Sequence, residues 1–163
     1  MTNPVKILIV EDQQNDIVLA QREINHVLKS CEFESVQTSE DFLASLQKFQ
    51  PDLIITDYSM PHFDGLSAIR LAKENAPHTP VIIFTGSIDE ETAAESVKAG
   101  AVDYVIKENI IRLRQAVLHA LEIKNMWLEN IEAEKKLKAS EERYRLISTV
   151  TSDYMFSTIV QPD

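Results

Sequence analysis

The stretch PDLIITDYSMP, residues 51–61, decides the fold class of this chain. Residues 53–55 form a continuous apolar run just after a proline, a pattern typical of a strand buried on both faces of a parallel sheet. The run stops before Asp57, and open α/β sheets bind their ligands at the carboxyl ends of their strands. By itself Asp57 is equally consistent with the start of a turn, so its role depends on the rest of the chain.

Three other short apolar runs predict strands at residues 5–10, 80–84 and 101–106, and residues 33–37 are a short candidate for the second strand with a weak apolar pattern. Helical patterns separate these runs. Asn15 or Asp16 is a candidate N-cap for a first helix that runs to about residue 29, and Ser39 is a candidate N-cap for the second. The third helix is expected to end before Pro77, and Gly100 suits the C-cap of a fourth helix over residues 89–99. Strands that alternate with helices predict a parallel sheet with helices on both faces.

Polar side chains follow the predicted strands, and the carboxyl ends of parallel strands share one edge of the sheet. The residues that should meet there are Glu11, Asp12, Asp57, Thr85 and Lys107. Three carboxylates repel one another without a cation, and hard oxygen ligands suit Mg²⁺. A metal, a lysine and a hydroxyl around one carboxylate stabilise a transferring phosphoryl group, with Asp57 as the nucleophile. The alternative is a buried ion network without chemistry.

Composition excludes several function classes. The 163 residues carry a formal net charge of -10, which argues against binding the phosphates of a nucleic acid. The single cysteine, Cys31, permits no internal disulfide and fits a reducing compartment. We expect a cytoplasmic chain without a signal peptide or membrane span, since its apolar runs are short. Three glycines are too few for the usual dinucleotide or phosphate loops, and the four histidines are expected to lie on the surface without binding metal.

Residues 5 to about 122 resemble the receiver domain of two-component response regulators. The matching stretches are ILIVED at 7–12, DLIITDYSMP at 52–61, DG at 64–65, FTG at 84–86 and GAVDYVIK at 100–107. The resemblance implies a flavodoxin-like, doubly wound five-stranded sheet with strand order 2-1-3-4-5. It further implies that Asp57 accepts a phosphoryl group from a phosphohistidine on a sensor histidine kinase or a phosphotransfer protein.

The resemblance also implies a metal site. Glu11, Asp12 and Asp57, with the backbone carbonyl of Ser59, match the groups that bind Mg²⁺ directly or through water in this family. Lys107 matches the lysine whose ammonium contacts the phosphoryl group. These assignments agree with the chemistry expected from the residues alone.

Further positions match the family's switch residues. Thr85 and Tyr104 match the pair that reports phosphorylation to the surface of the fourth helix, fifth strand and fifth helix, although Tyr104 is also consistent with a packed aromatic. Ser59 and Ser87 occupy the positions that tune hydrolysis of the aspartyl phosphate. The family usually has proline after its lysine, often through a cis bond. Here Glu108 follows, and a cis bond to a non-proline residue costs about 2.5–4 kcal/mol, so the geometry of this loop is open.

Residues 109–150 contain no proline or glycine and are rich in helix formers. We therefore expect the fifth helix to run on past Leu121 as a long helical tail. Two apolar seams lie along it, out of phase with each other; they contain Val117, Leu121, Leu128 and Ile131, then Leu137, Tyr144 and Ile147. They predict a coiled coil with a register break that pairs two chains as a parallel homodimer. A solvated charged helix is the alternative.

The expected domain organisation is a receiver domain at residues 1–122, a helical coiled-coil linker at 123–150 and the start of a truncated PAS-like domain at 151–163. Residues 140–163 resemble the opening of a PAS sensory domain, so the output module would lie outside this chain. The leading function is a phosphoacceptor switch whose catalysis is limited to its own phosphorylation and dephosphorylation. The alternatives are an unphosphorylated interaction or dimerisation module and an FMN-binding protein. FMN binding needs a phosphate-binding loop after the first strand, where this chain has EDQQ at 11–14.

Overall fold

The structure is a computed structural model that describes residues 2–87 and 89–159, and only the backbone of residues 151–159. Its elements in chain order are β1 Val5–Val10, α1 Gln14–Asn25, β2 Cys31–Val36, α2 Ser39–Lys48, β3 Leu53–Thr56, α3 Gly65–Asn75, β4 Val81–Thr85, α4 Glu90–Ala99, β5 Asp103–Ile106 and α5 Arg112–Ile159. A 3₁₀ turn, Lys107–Asn109, follows β5. The chain divides into two compact units, Met1–Asn125 and Met126–Asp163.

The strands of the described residues form one five-stranded parallel sheet in the order β2-β1-β3-β4-β5. Strand β1 pairs with β2 on one side and β3 on the other, so Val10 lies opposite both Val36 and Thr56. The predicted flavodoxin-like fold and strand order are confirmed. Because β1 and β3 are neighbours in the middle of the sheet, the residues that follow them emerge side by side at its carboxyl edge.

The alternating side chains of β1 fill a separate apolar core on each face of the sheet. Ile7 and Ile9 pack on the side of α1 and α5, whereas Leu8 and Val10 pack on the opposite side with residues of α2 and α3. All four side chains are buried. Fully burying one such side chain contributes about 1.5–3 kcal/mol, so these two cores hold the sheet rigidly beneath its polar edge.

Two helix starts differ from the prediction. Helix α1 begins at Gln14 with Gln13 at the N-cap, so neither Asn15 nor Asp16 caps it. Thr38, not Ser39, caps α2, and its hydroxyl accepts a hydrogen bond from the Asp41 N–H at 3.2 Å. Two adjacent hydroxyl residues are equally good caps by propensity, and only the backbone geometry separates them.

Helix α1 ends at Asn25, four residues before the predicted end, and β2 begins at Cys31 instead of residue 33. The two differences have one cause. Cys31 pairs with Val5 at the start of β1, which extends β2 backwards and leaves a short connection for the chain between α1 and β2. The other helix signals hold. Helix α3 ends before Pro77, and Gly100 closes α4 with a φ of 116°, a left-handed conformation that favours glycine.

The second unit contains the last part of α5, and this helix continues without a break past Leu121, as predicted. Leu128, Leu137 and Tyr144 are exposed on it. Within the described residues, no helix is long and apolar enough to span a membrane. The predicted PAS-like segment at 151–163 falls on residues whose side chains are not described and, from residue 160, lies outside the described residues.

Candidate functional site

Three carboxylates meet at the carboxyl edge of the sheet. Glu11 and Asp12 directly follow β1, and Asp57 directly follows β3. The Asp57 N–H donates to the Val10 carbonyl at 2.9 Å, which fixes the backbone at this edge. Each of the three residues places a carboxylate oxygen within 4.8 Å of the others. Glu11 and Asp57 are only 2% and 8% exposed, so their mutual repulsion is poorly screened by water.

Lys107 neutralises part of this charge. Its Nζ donates to Glu11 Oε2 at 2.7 Å, to Asp16 Oδ2 at 2.8 Å and to Asp57 Oδ2 at 3.0 Å. A lysine ammonium has three N–H donors, so these three carboxylates use all of them. Burial works against the charged form, but the three hydrogen bonds outweigh it and hold the pKa of Lys107 above its ordinary value. Lys107 is therefore a fixed positive charge beside Asp57.

The two oxygens of the Glu11 carboxylate accept hydrogen bonds from different partners. Its Oε1 accepts hydrogen bonds from the N–H groups of Asp12 and Gln13, at 2.9 and 3.0 Å, while Oε2 contacts Lys107. Burial raises the pKa of Glu11 above its ordinary value, although its hydrogen bonds oppose this. Both oxygens of Glu11 are thus engaged, whereas the Asp12 carboxylate accepts a long hydrogen bond from the Gln13 amide at 3.5 Å.

The loop after β3 holds Asp57 in place. Asp57 Oδ1 accepts from the Ser59 N–H at 3.2 Å, so each oxygen of this carboxylate has a different partner. The Gly65 N–H donates to the Tyr58 carbonyl at 3.0 Å and brings the start of α3 against the loop. A Cβ on Gly65 would lie 2.8 Å from the Asp57 carbonyl oxygen and 2.9 Å from the Tyr58 Cα. Only glycine permits this close approach without a backbone shift.

The predicted switch residues occupy β4, β5 and the loop between β4 and α4. Thr85 ends β4, is buried, and donates from its hydroxyl to the carbonyl of exposed Ser87 at 3.4 Å. Tyr104 is 37% exposed. The Arg112 guanidinium lies over the Tyr104 ring, 5.7 Å from its centroid, donates to the Tyr104 carbonyl, and pairs with Asp103 at 2.8 Å.

The peptide bond after Lys107 resolves the open loop geometry. No peptide bond of residues 2–87 and 89–159 is cis, so the chain passes from Lys107 into the 3₁₀ turn through a trans bond to Glu108. The reach of Lys107 into the cleft does not depend on the cis bond that is common in the family.

Two residues at this edge were missed from the sequence. Asp16 lies in the first turn of α1 and contacts Lys107, but its position suggested only a helix cap. Tyr58 follows Asp57 and donates from its hydroxyl to Glu95 on α4 at 3.1 Å. For Asp16, the available signal was a third acid within six consecutive residues, after Glu11 and Asp12, at the start of the helix that follows β1. The contact of Tyr58 with Glu95 has no signal in the sequence.

The donor set fits a small hard cation. Within the described residues, one group of three or more acids, histidines or cysteines lies close enough together to hold a metal ion. It consists of Glu11, Asp12 and Asp57. Carboxylate oxygens with space for water are the ligands that Mg²⁺ prefers. None of the four histidines belongs to this group of described residues.

Comparisons with known proteins identify the same segment. Residues 7–118 match the family described as "Response regulator receiver domain". The chain is 32% identical over 127 residues to the regulatory protein AtoC of Escherichia coli, covering 77% of this chain and 27% of AtoC. It is 28% identical over 106 residues to the chemotaxis protein CheY of Listeria monocytogenes, covering 63% of this chain and 86% of CheY.

A solved structure gives the same result. The BeF3-activated receiver domain of DrrB, a response regulator of Thermotoga maritima, is 29% identical and superposes with a TM-score of 0.64, over 74% of this chain and 99% of that domain. The chain spans about a quarter of the length of the first curated relatives, AtoC and an NtrC regulator of Proteus hauseri. With a matching family over residues 7–118, the predicted fold and an acidic cleft at the expected edge, the chain belongs to the response regulator receiver domain family of two-component signalling.

Proposed function

We propose that Asp57 is the phosphoacceptor of this receiver domain. Receiver domains interact with histidine kinases or phosphotransfer proteins, and phosphoacceptor function is typical of the family. A carboxylate oxygen of Asp57 attacks the phosphorus of a phosphohistidine on such a partner. The new O–P bond forms as the P–N bond breaks, and the imidazole nitrogen leaves with the electron pair. The observation that best supports this role is the Lys107 ammonium, 3.0 Å from Asp57 Oδ2.

The surrounding residues have separate tasks in this proposal. Asp12 and Asp57, with Glu11 through water and the Ser59 carbonyl, would hold Mg²⁺, which when bound supplies positive charge to the transferring phosphoryl group. Glu11 is assigned to water-mediated contact because its carboxylate accepts three of the described hydrogen bonds, one more than the carboxylate of Asp57. Lys107 orients and neutralises the phosphoryl oxygens.

The proposed switch uses the residues at the ends of β4 and on β5. The hydroxyl of Thr85 turns from the Ser87 carbonyl towards the phosphoryl group, and Tyr104 changes its exposure in response. The 3.4 Å contact of Thr85 is long for a hydroxyl donor, which supports an easily exchanged bond. Ser59 and Ser87 are both exposed beside the cleft, where they would control the access of water and so the lifetime of the aspartyl phosphate.

The helical tail is proposed to carry the response. Leu128 and Leu137 are exposed on α5, and pairing with a second copy as a parallel coiled coil would bury them. Such a homodimer would place two output modules together, and residues 140–163 would lead into a PAS-like domain of a longer protein. The net charge of -10 supports the proposal that this segment does not bind nucleic acid. We further propose a cytoplasmic location without membrane binding, which is consistent with the single cysteine.

Intact-mass measurement tests the phosphoacceptor role. The protein is incubated with Mg²⁺ and acetyl phosphate, and the wild type is expected to gain the mass of one phosphoryl group. Asp57→Asn should show no gain, because an amide is not a usable nucleophile, while the exposed Asp41→Asn serves as a matched control that labels normally. An unlabelled wild type that still binds a histidine kinase would favour the unphosphorylated interaction module. Equal labelling of Asp57→Asn would refute the assignment.

A further inference from the structure

Asp16 is the partner of Lys107 that the proposed mechanism leaves without a task. Its Oδ2 accepts from the Lys107 ammonium at 2.8 Å, a distance between those of Glu11 at 2.7 Å and Asp57 at 3.0 Å. Asp16 is partly buried and stands on α1, whereas the other two carboxylates follow strands of the sheet. Three elements of the fold therefore hold one ammonium.

The partners of Lys107 differ in what a cation does to them. Glu11 and Asp57 belong to the carboxylate group that can hold a metal ion, and Asp16 does not. A bound divalent cation is the largest local charge and draws the electron density of its carboxylate ligands towards itself. Phosphorylation then removes the negative charge of the Asp57 carboxylate itself. Neither metal binding nor phosphorylation removes the negative charge of Asp16, so its contact with Lys107 persists through both.

The position of Asp16 is fixed by the helix. Its N–H donates to the Gln13 carbonyl at 3.1 Å, and the neighbouring Ile17 is buried in the core below the sheet edge. A carboxylate in the first turn is also stabilised by the helix dipole. The Asp16 side chain therefore restricts the Lys107 side chain, which has many rotamers when it is free.

We propose that Asp16 is a positioning residue that holds the Lys107 ammonium beside Asp57 while the phosphoryl group is transferred. It touches neither the phosphoryl group nor the metal, and it acts through Lys107. This inference rests on the proposed phosphoacceptor function and assigns a residue that the family motif does not include. The competing explanation is that Asp16 only stabilises the start of α1.

A double-mutant cycle separates these explanations. The rate of phosphorylation by acetyl phosphate is measured for the wild type, Asp16→Ala, Lys107→Ala and the double variant, with the exposed neighbour Asn15→Ala as the matched control. Loss of one charged hydrogen bond predicts a rate about tenfold lower for Asp16→Ala. The double variant should be no slower than Lys107→Ala alone, because Asp16 acts through the lysine. Asn15→Ala should match the wild type.

Two readouts do not depend on the reaction. Mg²⁺ affinity, measured by titration calorimetry, should be unchanged in Asp16→Ala, since Asp16 is not a ligand. Urea unfolding of the same four proteins without metal should show coupling between Asp16 and Lys107, because they form a direct ion pair. Asp16→Asn, which keeps the shape and one acceptor oxygen, should lie between the wild type and Asp16→Ala in rate, and it remains informative if the alanine variant is too unstable to assay.

Several results would overturn the inference. They are an unchanged rate in both Asp16 variants, a further slowing in the double variant, or a loss of Mg²⁺ affinity that makes Asp16 a metal ligand. Failure of the phosphoacceptor function is distinguishable, because then the wild type itself gains no phosphoryl group. If the wild type is labelled and Asp16→Ala is labelled at the same rate, only the positioning role fails.

Discussion

The hydroxyl of Tyr58 donates a hydrogen bond to Glu95 and thereby ties the residue after Asp57 to helix α4. The two oxygen atoms are 3.1 Å apart. Helix α4 is weakly held, since Ser96 is its one buried residue in the part of the chain described. Burial, followed by the hydrogen bond to Glu95, raises the pKa of Tyr58, so its hydroxyl keeps the donated proton throughout the neutral range.

Replacing Tyr58 with phenylalanine should loosen α4. The variant keeps the ring and loses one hydrogen bond, which contributes about 0.5–1.5 kcal/mol. Amide hydrogen exchange is therefore expected to quicken in Glu90–Ala99 while the strands keep their protection. The exposed Tyr144→Phe provides the matched control. Unchanged exchange in α4 would show that Tyr58 does not restrain this helix.

Removing the Lys107 ammonium should slow phosphorylation by about 100-fold, the typical effect of losing one group that stabilises developing charge. Because Lys107 pairs with three carboxylates, Lys107→Ala should also unfold at lower urea than the wild type without metal, and Mg²⁺ should restore much of this difference. Acetyl phosphate kinetics and urea titrations measure both effects, with the exposed Lys135→Ala as control. Normal kinetics would mean that Lys107 has no role in transfer.

Asp12→Ala should remove most of the Mg²⁺ dependence of phosphorylation. Asp12 contributes one of the three carboxylates that lie within 4.8 Å of one another, and its only other described contact is a long one. Calorimetric titration should show Mg²⁺ affinity lowered by at least about tenfold, a loss typical of altered metal sites. The exposed Asp41→Asn controls for the change in net charge. A titration identical to that of the wild type would show that Asp12 does not bind the metal.

Glu23 should make the stability of the fold depend on pH. The hydrogen bond from Arg114, 2.7 Å long, lowers the pKa of Glu23 below its ordinary value despite burial. A carboxyl whose pKa is lower in the folded state stabilises the fold above its unfolded pKa, and this contribution is lost as the pH falls through the folded value. Near neutral pH the wild type should therefore unfold at a higher urea midpoint than Glu23→Gln. This difference in midpoint should shrink as the pH falls below about 4.5. The exposed Glu122→Gln should have the same urea midpoint as the wild type at each pH.

The tail should make the protein a dimer at micromolar concentration. Sedimentation equilibrium of the wild type is expected to give twice the chain mass. Charges at two exposed apolar positions, in the double variant Leu128→Glu/Leu137→Glu, should shift it to the monomer. Lys138→Glu, an exposed change of charge on the same helix, should remain dimeric. A wild type that stays monomeric even after phosphorylation would leave α5 as a solitary linker.

The sheet and most of its polar edge could be predicted because the strands other than β2 are largely apolar and end at or next to a polar residue. That pattern placed Asp57 and Lys107 at one edge although 50 positions separate them. Strand β2, with the sequence CEFESV, carried a weaker signal. Helix ends were harder to predict. Nothing in the local sequence distinguishes Thr38 from Ser39 as a cap, and the early end of α1 follows from the pairing of Cys31 with Val5, a tertiary contact.

The side-chain partners within the cleft could not be predicted in the same way. A residue on a helix, such as Asp16, reaches the sheet edge only for one rotation of that helix, and the core residue Ile17 sets this rotation. The contact between Tyr58 and Glu95 joins a loop to a helix 37 positions away, and neither residue belongs to a pattern. Such contacts depend on packing distances that hydrophobic periodicity does not contain.

Lys107 directly follows β5, the last strand along the chain among those described, and this order has a consequence for biosynthesis. Asp57 leaves the ribosome 50 residues before Lys107, and Glu11 leaves 96 residues before it. A domain generally folds as a unit, so the sheet is completed only after β5 has been made. Until β5 adds to the sheet, the acids at its edge have only water and dissolved ions between them. When β5 adds to the sheet, Lys107 is the next residue and can reach these acids, so a nascent chain completes its sheet and its reaction centre together.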